Sequence, residues 1–412
     1  MTGLARQTIF LTLAALAAVM LLTLSSKAWG QPAEGVIDED SGDAPYAAGE
    51  LIITYKPEAP GESVNGVGQR FEARTEETLP EIDARLLFFP EVKSEQSRDT
   101  REEDLEQIKE TLEQNPAVES VDYNYVRRTT SIPDDPRFDA QYGLRQIKAP
   151  AAWNKIQASG EVDIAVVDTG IDSDHPDLRS KIEAQRTFLN GVETEGAEDD
   201  TGHGTHVAGI AAAVTDNGKG VAGACPGCDL LIAKTFANDD GYDSDVADGI
   251  VWATDNGAEV INFSFGGRRK SDALRNAVNY AWDEGVVVVA AAGSLGRNVR
   301  FYPAAYRNAI AVAATNKKDR RAKYSNYGGW VDLSAPGTKI TSTYLSGGYR
   351  QLGGTSMSTP HVAGLAGLLA AQDRSAPKIR ARMENTAVDR GDEGKDKYYG
   401  HGRINAYRAV KQ

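Results

Sequence analysis

Ile164-Ala165-Val166-Val167-Asp168-Thr169-Gly170 is an apolar run without alternation that closes on a carboxylate and then turns at a glycine. Successive side chains of a strand point to opposite faces, so a run that is apolar throughout belongs to a strand buried on both sides. The pattern repeats outward from this stretch. Val162 to Val167, Leu230 to Phe236, Val260 to Phe265, Val286 to Ala291 and Ala309 to Ala314 are all short apolar runs of this kind. Helices are expected between them, at His206 to Ala213, Val246 to Asn256 and Asp272 to Glu284. Strand and helix in such succession predict an α/β fold, a parallel sheet with helices on both faces, filling 131–412. Chemistry in that architecture gathers at the carboxyl ends of the strands, where Asp168 stands.

The chain ahead of it has a different character. Leu51 to Tyr55 and Leu86 to Phe89 read as strands, and Val118 to Tyr125 as another. Thr100 with Glu103 forms a capping box that opens a helix carrying Leu105, Ile108 and Leu112 on one face, and Asn115-Pro116 ends it. With room for a further helix near Phe71, residues 49–130 are expected to form a small α+β domain. Residues 31–48 are acidic and without periodicity, a loose leader. In 1–30, Arg6 precedes an apolar run from Ile9 to Leu24, and Ala28-Trp29-Gly30 offers small residues for cleavage after Gly30. That is an export signal; the run is short for a membrane span of about 20 residues. A secreted protein, free of the membrane once the signal is removed, is expected.

Composition narrows the function. The 412 residues carry 45 Lys and Arg against 59 Asp and Glu, a formal charge of −14, which gives no basic footprint for holding nucleic acid. Two Cys exclude a disulfide-dense scaffold. Three segments then stand out. Asp168 alone could simply cap the next turn. In Gly202-His203-Gly204-Thr205-His206 a His opens a small-residue helix; a metal pair of His203 and His206 is open on spacing, although no Glu or Cys completes a ligand set. Gly353-Gly354-Thr355-Ser356-Met357-Ser358-Thr359-Pro360 places Ser356 just before a helix expected to start near Pro360, where a Ser is commonly only an N-cap. Together the three make nucleophilic chemistry possible: an imidazole takes the hydroxyl proton, and a carboxylate holds the imidazole in the right tautomer. The order Asp, His, Ser excludes the lipase-type elbow, which needs Gly-x-Ser-x-Gly and a later His.

These motifs resemble those of the subtilase (subtilisin-like) family of serine endopeptidases, and the likeness extends over nearly everything after Gly30, including the closing Gly400-His401-Gly402-Arg403-Ile404-Asn405-Ala406. The resemblance implies a zymogen whose residues 49–130 are an inhibitory propeptide and whose partners are this propeptide and peptide or protein substrates. It implies that Asp168 orients His203, that His203 is general base and then acid, and that Ser356 attacks the peptide carbonyl, with the Ser356 backbone amide facing the oxyanion. Ser264, Phe265 and Gly266 match the family's edge segment for an extended peptide, and Ala292 and Gly293 its opposite wall. Such backbone pairing implies broad specificity, and the small residues of that wall imply an apolar or aromatic residue before the cut. The enzyme is expected to act as a monomer.

Where the family places an Asn that donates to the oxyanion, this chain has Ser294, which implies weakened activity; a catalytically silent scaffold that binds peptides is the competing expectation. Asp135, Asp177, Val214, Asn217, Lys219 and Val221 match positions of a structural calcium site, and two carboxylates, an amide and three carbonyls suit a hard cation. Cys225-Pro226-Gly227-Cys228 precedes a strand and not a helix, so a local structural disulfide is the expectation in preference to a redox motif.

Overall fold

The computed structural model describes residues 37–38, 46–59, 66–90, 92, 98–125, 132–156, 162–238, 240–372 and 374–411. The expected signal (1–30), most of the leader (31–48) and residues 126–131, where the expected propeptide ends, lie outside them. The chain divides into two compact units between Thr129 and Thr130.

In the first unit β1 (Ile37–Asp38), β2 (Tyr46–Tyr55), β3 (Arg74–Leu79), β4 (Ala84–Phe88) and β5 (Val118–Tyr125) form one antiparallel sheet, with β2 bonded to β1, β4 and β5 and β3 at the far edge beside β4. Helix α1 (Arg98–Glu113) places Leu105, Ile108 and Leu112 in a core with Leu51, Ile53, Leu87, Phe89, Val118 and Val121. The i, i+3, i+7 spacing thus seals one face of the sheet. One expectation is corrected. The helix begins at Arg98, so Thr100 and Glu103 lie inside it and do not open it. At Phe71 itself the described residues form a 3-10 turn, Gln69–Phe71.

The second unit is the expected parallel sheet with helices on both faces. Its strands are β6 (Asp163–Asp168), β7 (Ile182–Leu189), β8 (Val192–Glu195), β9 (Asp229–Lys234), β10 (Val260–Phe263), β11 (Val287–Ala291), β12 (Ile310–Thr315) and β13 (Leu333–Pro336), in the order β13-β12-β11-β10-β6-β9-β7-β8. All neighbours are parallel except the hairpin β7–β8. The uninterrupted apolar runs have the predicted meaning, because alternate residues enter two separate cores. Ile164, Val166, Leu230, Ile232, Val287 and Val289 face one side. Ala165, Val167, Leu231, Ala233, Val288 and Ala290 face the other. At about 25 cal/mol per Å² of apolar area removed from water, this two-sided burial is the main force holding the unit together.

The helices divide accordingly. After the short α2 (Tyr142–Gln146) and α3 (Ala149–Trp153), α4 (His203–Ala212) enters the first core. Helices α5 (Asp243–Asp255) and α6 (Asp272–Asp283) cover the second, through Val246 and Ile250 and through Leu274 and Val278. A hairpin of β14 (Ile340–Tyr344) and β15 (Gly348–Leu352) leads into α7 (Thr355–Ala370), buried almost throughout in the first core; α8 (Ala376–Thr386) and α9 (Ala406–Val410) close the chain. Helix α7 starts five residues before the expected Pro360, which is enclosed within it.

Candidate active site

Strand β6 ends on Asp168, 2 % exposed in a position that water barely reaches. His203 is the first residue of α4, and its Nδ1 lies 2.6 Å from Asp168 Oδ1, which also accepts the Thr169 N–H at 2.8 Å. Main-chain contact sets this distance. A Cβ on Gly204 would stand 2.2 Å from the carbonyl oxygen of Gly170, so the helix start presses directly on the turn behind Asp168 and no larger residue fits. Asp199, which the sequence reading passed over, locks the same corner: its carboxylate accepts the N–H groups of Thr201, Gly202 and Thr205 and the hydroxyls of Thr169 and Thr205. Burial alone would raise its pKa, but these donors hold it below the ordinary carboxylate value. A fixed anion thereby satisfies the open amides at the start of the helix that carries His203.

The metal pair does not form. His206 is buried with Nε2 on the Arg350 carbonyl at 3.0 Å, and burial lowers its pKa to about 4. His361, inside α7, is likewise lowered to about 4 by burial.

Ser356 is the second residue of α7, a position whose N–H has no acceptor within the helix. Pro360 lies four residues on and has no N–H to give to the Ser356 carbonyl. The hydroxyl of Ser264 takes that role, donating to Ser356 O at 2.8 Å, while the Ser356 hydroxyl donates to Ser264 O at 2.6 Å. Asn262 Nδ2 in turn donates to Ser264 Oγ at 2.9 Å. Strands β10 and β6 pair up to Phe263 and Val167, and Ser264 and Asp168 are the next residues on each. The fold thus brings Asp168 and His203 into contact and joins Ser356 to the adjoining strand end.

Two segments flank Ser356. In Ser264 to Gly267 the glycines are exposed, and Gly267 exchanges main-chain hydrogen bonds with Tyr302 at 2.8 and 2.7 Å. The ring of Phe265 turns inward, against Phe236 and Phe263. On the other segment the main chain is already engaged: Ala292 N–H donates to Val312 O, Ala292 O accepts from Asn326 Nδ2, and Gly293 bonds Thr355 Oγ1 and the Asn326 N–H. Ser294 Oγ accepts the Thr355 N–H at 3.2 Å and lies 3.3 Å from Thr355 Oγ1, so its hydroxyl is drawn to the start of α7. Between the two segments lies the ring of Phe301, which sequence reasoning did not single out.

The residues expected to hold calcium are partly assembled. Asp177, fully buried, accepts from Asn217 Nδ2, the Val221 N–H and the Tyr349 hydroxyl, at 3.0 to 3.1 Å. Asp135 accepts the Asp216 N–H at 3.1 Å, and its other oxygen is buried without a protein partner. Burial raises its pKa, with the charges of Asp134 and Asp177 adding to the effect. Asp134 and Asp216, which the sequence reading did not single out, complete a three-carboxylate cluster with it. An unpartnered buried carboxylate oxygen among further oxygens fits a hard cation. Val214 donates its N–H to Asp177 O, and the Lys219 N–H goes to Asn217 Oδ1. Cys225 and Cys228 are fully buried with their sulfurs at disulfide distance, 1.98 Å.

A cavity of about 490 Å³, lined by Phe188, Val192, Glu193, Val251 and Trp252, holds none of the expected residues. Among the described residues no helix is long and apolar enough to cross a membrane.

Known proteins resemble this chain closely. The family model described as the subtilase family matches residues 159–402. Thermitase of Thermoactinomyces vulgaris is 50% identical over 281 residues, 68% of this chain and 99% of the relative. A thermophilic serine proteinase of Bacillus sp. (strain AK1) is 41% identical over 367 residues, 89% of this chain and 88% of the relative, a match that reaches into the first unit. Among solved structures, a protease from Pseudoalteromonas arctica PAMC 21717 superposes with a TM-score of 0.64 at 33% identity, covering 68% of this chain and 99% of that one.

Proposed function

The chain belongs to the subtilase family and is a subtilisin-like serine endopeptidase, and from that premise we propose that Asp168, His203 and Ser356 are its catalytic triad. The 2.6 Å contact of Asp168 with His203 Nδ1, at the strand end next to the one that holds Ser356, carries this reading. With Nδ1–H kept by Asp168, Nε2 is the base. The Ser356 hydroxyl leaves Ser264 O and gives its proton to Nε2 as Oγ bonds the peptide carbonyl carbon. The oxyanion meets the Ser356 N–H at the positive end of α7. His203 then protonates the leaving amine as the C–N bond breaks. Water, deprotonated by His203, attacks the ester, and Ser356 recovers its proton as the acid product departs. Ser294 offers a hydroxyl already bonded to Thr355 in place of a side-chain amide, which supports a slow enzyme.

The wider reading is a secreted, monomeric zymogen. Residues 1–30 direct export, residues 49–130 serve as inhibitory propeptide, and maturation cuts between about Arg127 and Pro133. Asp135, Asp177 and Asn217, with carbonyls of Val214, Lys219 and Val221, would hold a calcium ion that ties the start of the protease unit to the 214–221 loop; Cys225 and Cys228 form a structural disulfide. Ser356→Ala is the test: it should abolish fluorophosphonate labelling and turnover of denatured protein and accumulate precursor lacking only the signal. Absence of labelling in the parent protein would favour the silent, peptide-binding scaffold.

A further inference from the structure

The two segments beside Ser356 are lined where they face each other by glycines, and the space that those glycines leave is filled. A Cβ added to Gly266 would lie 2.7 Å from Phe301 Cδ1 and 2.8 Å from Cε1; one added to Gly293 would lie 2.8 Å from Cδ1 and Cγ of the same ring. The same edge of one phenyl ring therefore touches the main chain of both walls. Its backbone is pinned: Phe301 O accepts the Ala305 N–H at 2.8 Å, and the next residue, Tyr302, is bonded on both sides to Gly267. The ring is only half buried, so it stands at the open side of the slot.

We infer that Phe301 occupies the recess into which the side chain preceding the cut would enter, and that this protease selects a small residue there, Gly, Ala or Ser. The inference rests on the reading that these two segments form the substrate cleft. A slot already holding an aromatic ring at van der Waals contact on both walls has no width for a second, because interiors at this packing density do not yield by a ring thickness. The small residues of the second wall do leave space, as the sequence suggested, but Phe301 consumes it, and the expected aromatic preference is replaced by a small-residue one.

The test is a series of chromogenic peptides that differ only in the residue before the cut, Ala, Leu or Phe. Each is assayed with the parent enzyme, Phe301→Ala and Phe301→Gly, all normalised by fluorophosphonate titration of Ser356. The parent should favour Ala over Phe by at least about tenfold in kcat/KM, and Phe301→Gly should reverse that ratio by about a hundredfold, with Phe301→Ala between. A parent that prefers Phe, or a ratio unmoved in both variants, overturns the inference. Should the parent fail to label with fluorophosphonate, the protease reading is what fails. Calorimetric binding of product peptides ending in Ala or Phe to the Ser356→Ala protein then decides the slot by itself: tighter Phe binding refutes it, tighter Ala binding that inverts on adding Phe301→Gly supports it. Thermal melting of each variant confirms that it is folded.

Discussion

Removing the hydroxyl of Ser264 should cost helix α7 a bond that it cannot make for itself. Pro360 leaves the Ser356 carbonyl without its helical donor, and Ser264 Oγ supplies one at 2.8 Å from a buried position. Ser264→Ala leaves that carbonyl unsatisfied, a loss of about 1–3 kcal/mol. Pro360→Ala restores an N–H at the right place in the helix, offset by about 0.4–1 kcal/mol of added chain freedom in the unfolded state. The double variant should therefore recover most of the loss, with an interaction energy of about 1–2 kcal/mol. Denaturant unfolding of the four proteins in a Ser356→Ala background, which prevents autolysis, measures the cycle. In the active background kcat should fall in Ser264→Ala and recover in the double variant. If the two single effects simply add, within about 0.5 kcal/mol, the Ser264 hydroxyl is not standing in for the missing N–H and the account of α7 is wrong.

Ser294→Asn should raise kcat with KM nearly unchanged, the mark of a bond made only at the transition state; loss of such a donor in subtilisin costs about 10²–10³-fold, and an unchanged kcat would show that the oxyanion is held otherwise. Chelation of calcium should speed thermal inactivation while leaving kcat on a small peptide unaltered, since the ion stabilises only the folded state, by about 2.7 kcal/mol at a hundred times its Kd; an unchanged inactivation rate rejects the site. Asp163, raised to about 6 by burial and by Glu259, Asp229 and Glu183, binds its proton more tightly when folded, so it lowers stability as pH rises through 6. In the Ser356→Ala background, Asp163→Asn should gain roughly 1 kcal/mol over its parent above pH 6, after allowance for solvent screening, and nothing below about pH 4; a gain independent of pH would reject the linkage.

What the sequence made legible follows from which residues bear the burial. Five strands buried on both faces announced themselves through unbroken apolar runs, and Asp168 was legible because it ends one of them. Among the strands that escaped, Arg74–Leu79 and Val192–Glu195 are polar edge strands, exposed almost throughout, Leu333–Pro336 is four residues ending in a proline, and Ile182–Leu189 and Ile340–Tyr344 carry polar residues that break any apolar run. Pro360 misplaced the start of α7 because proline usually opens a helix, and only the distant Ser264 makes it tolerable inside one. Asp199, the Asp134–Asp216 cluster and Phe301 were illegible for one reason: each acquires its role from partners brought up by the fold, and nothing in Asp-Asp-Thr-Gly or Arg-Phe-Tyr-Pro names those partners.

On the proposed roles, the placement of these groups separates the triad from the residues that shape the recess and the oxyanion position. Asp168, His203 and Ser356 belong to β6, α4 and α7, elements sunk in the first core. Ser294, Gly293 and Phe301 all lie on one connection, residues 292–309, between β11 and β12. A lineage of such chains can redraw that single crossover, changing preference and turnover together, without disturbing a strand or the acid–base pair. On those roles, a graft spanning 292–309 would exchange the recess and the oxyanion position together and leave Asp168, His203 and Ser356 in place.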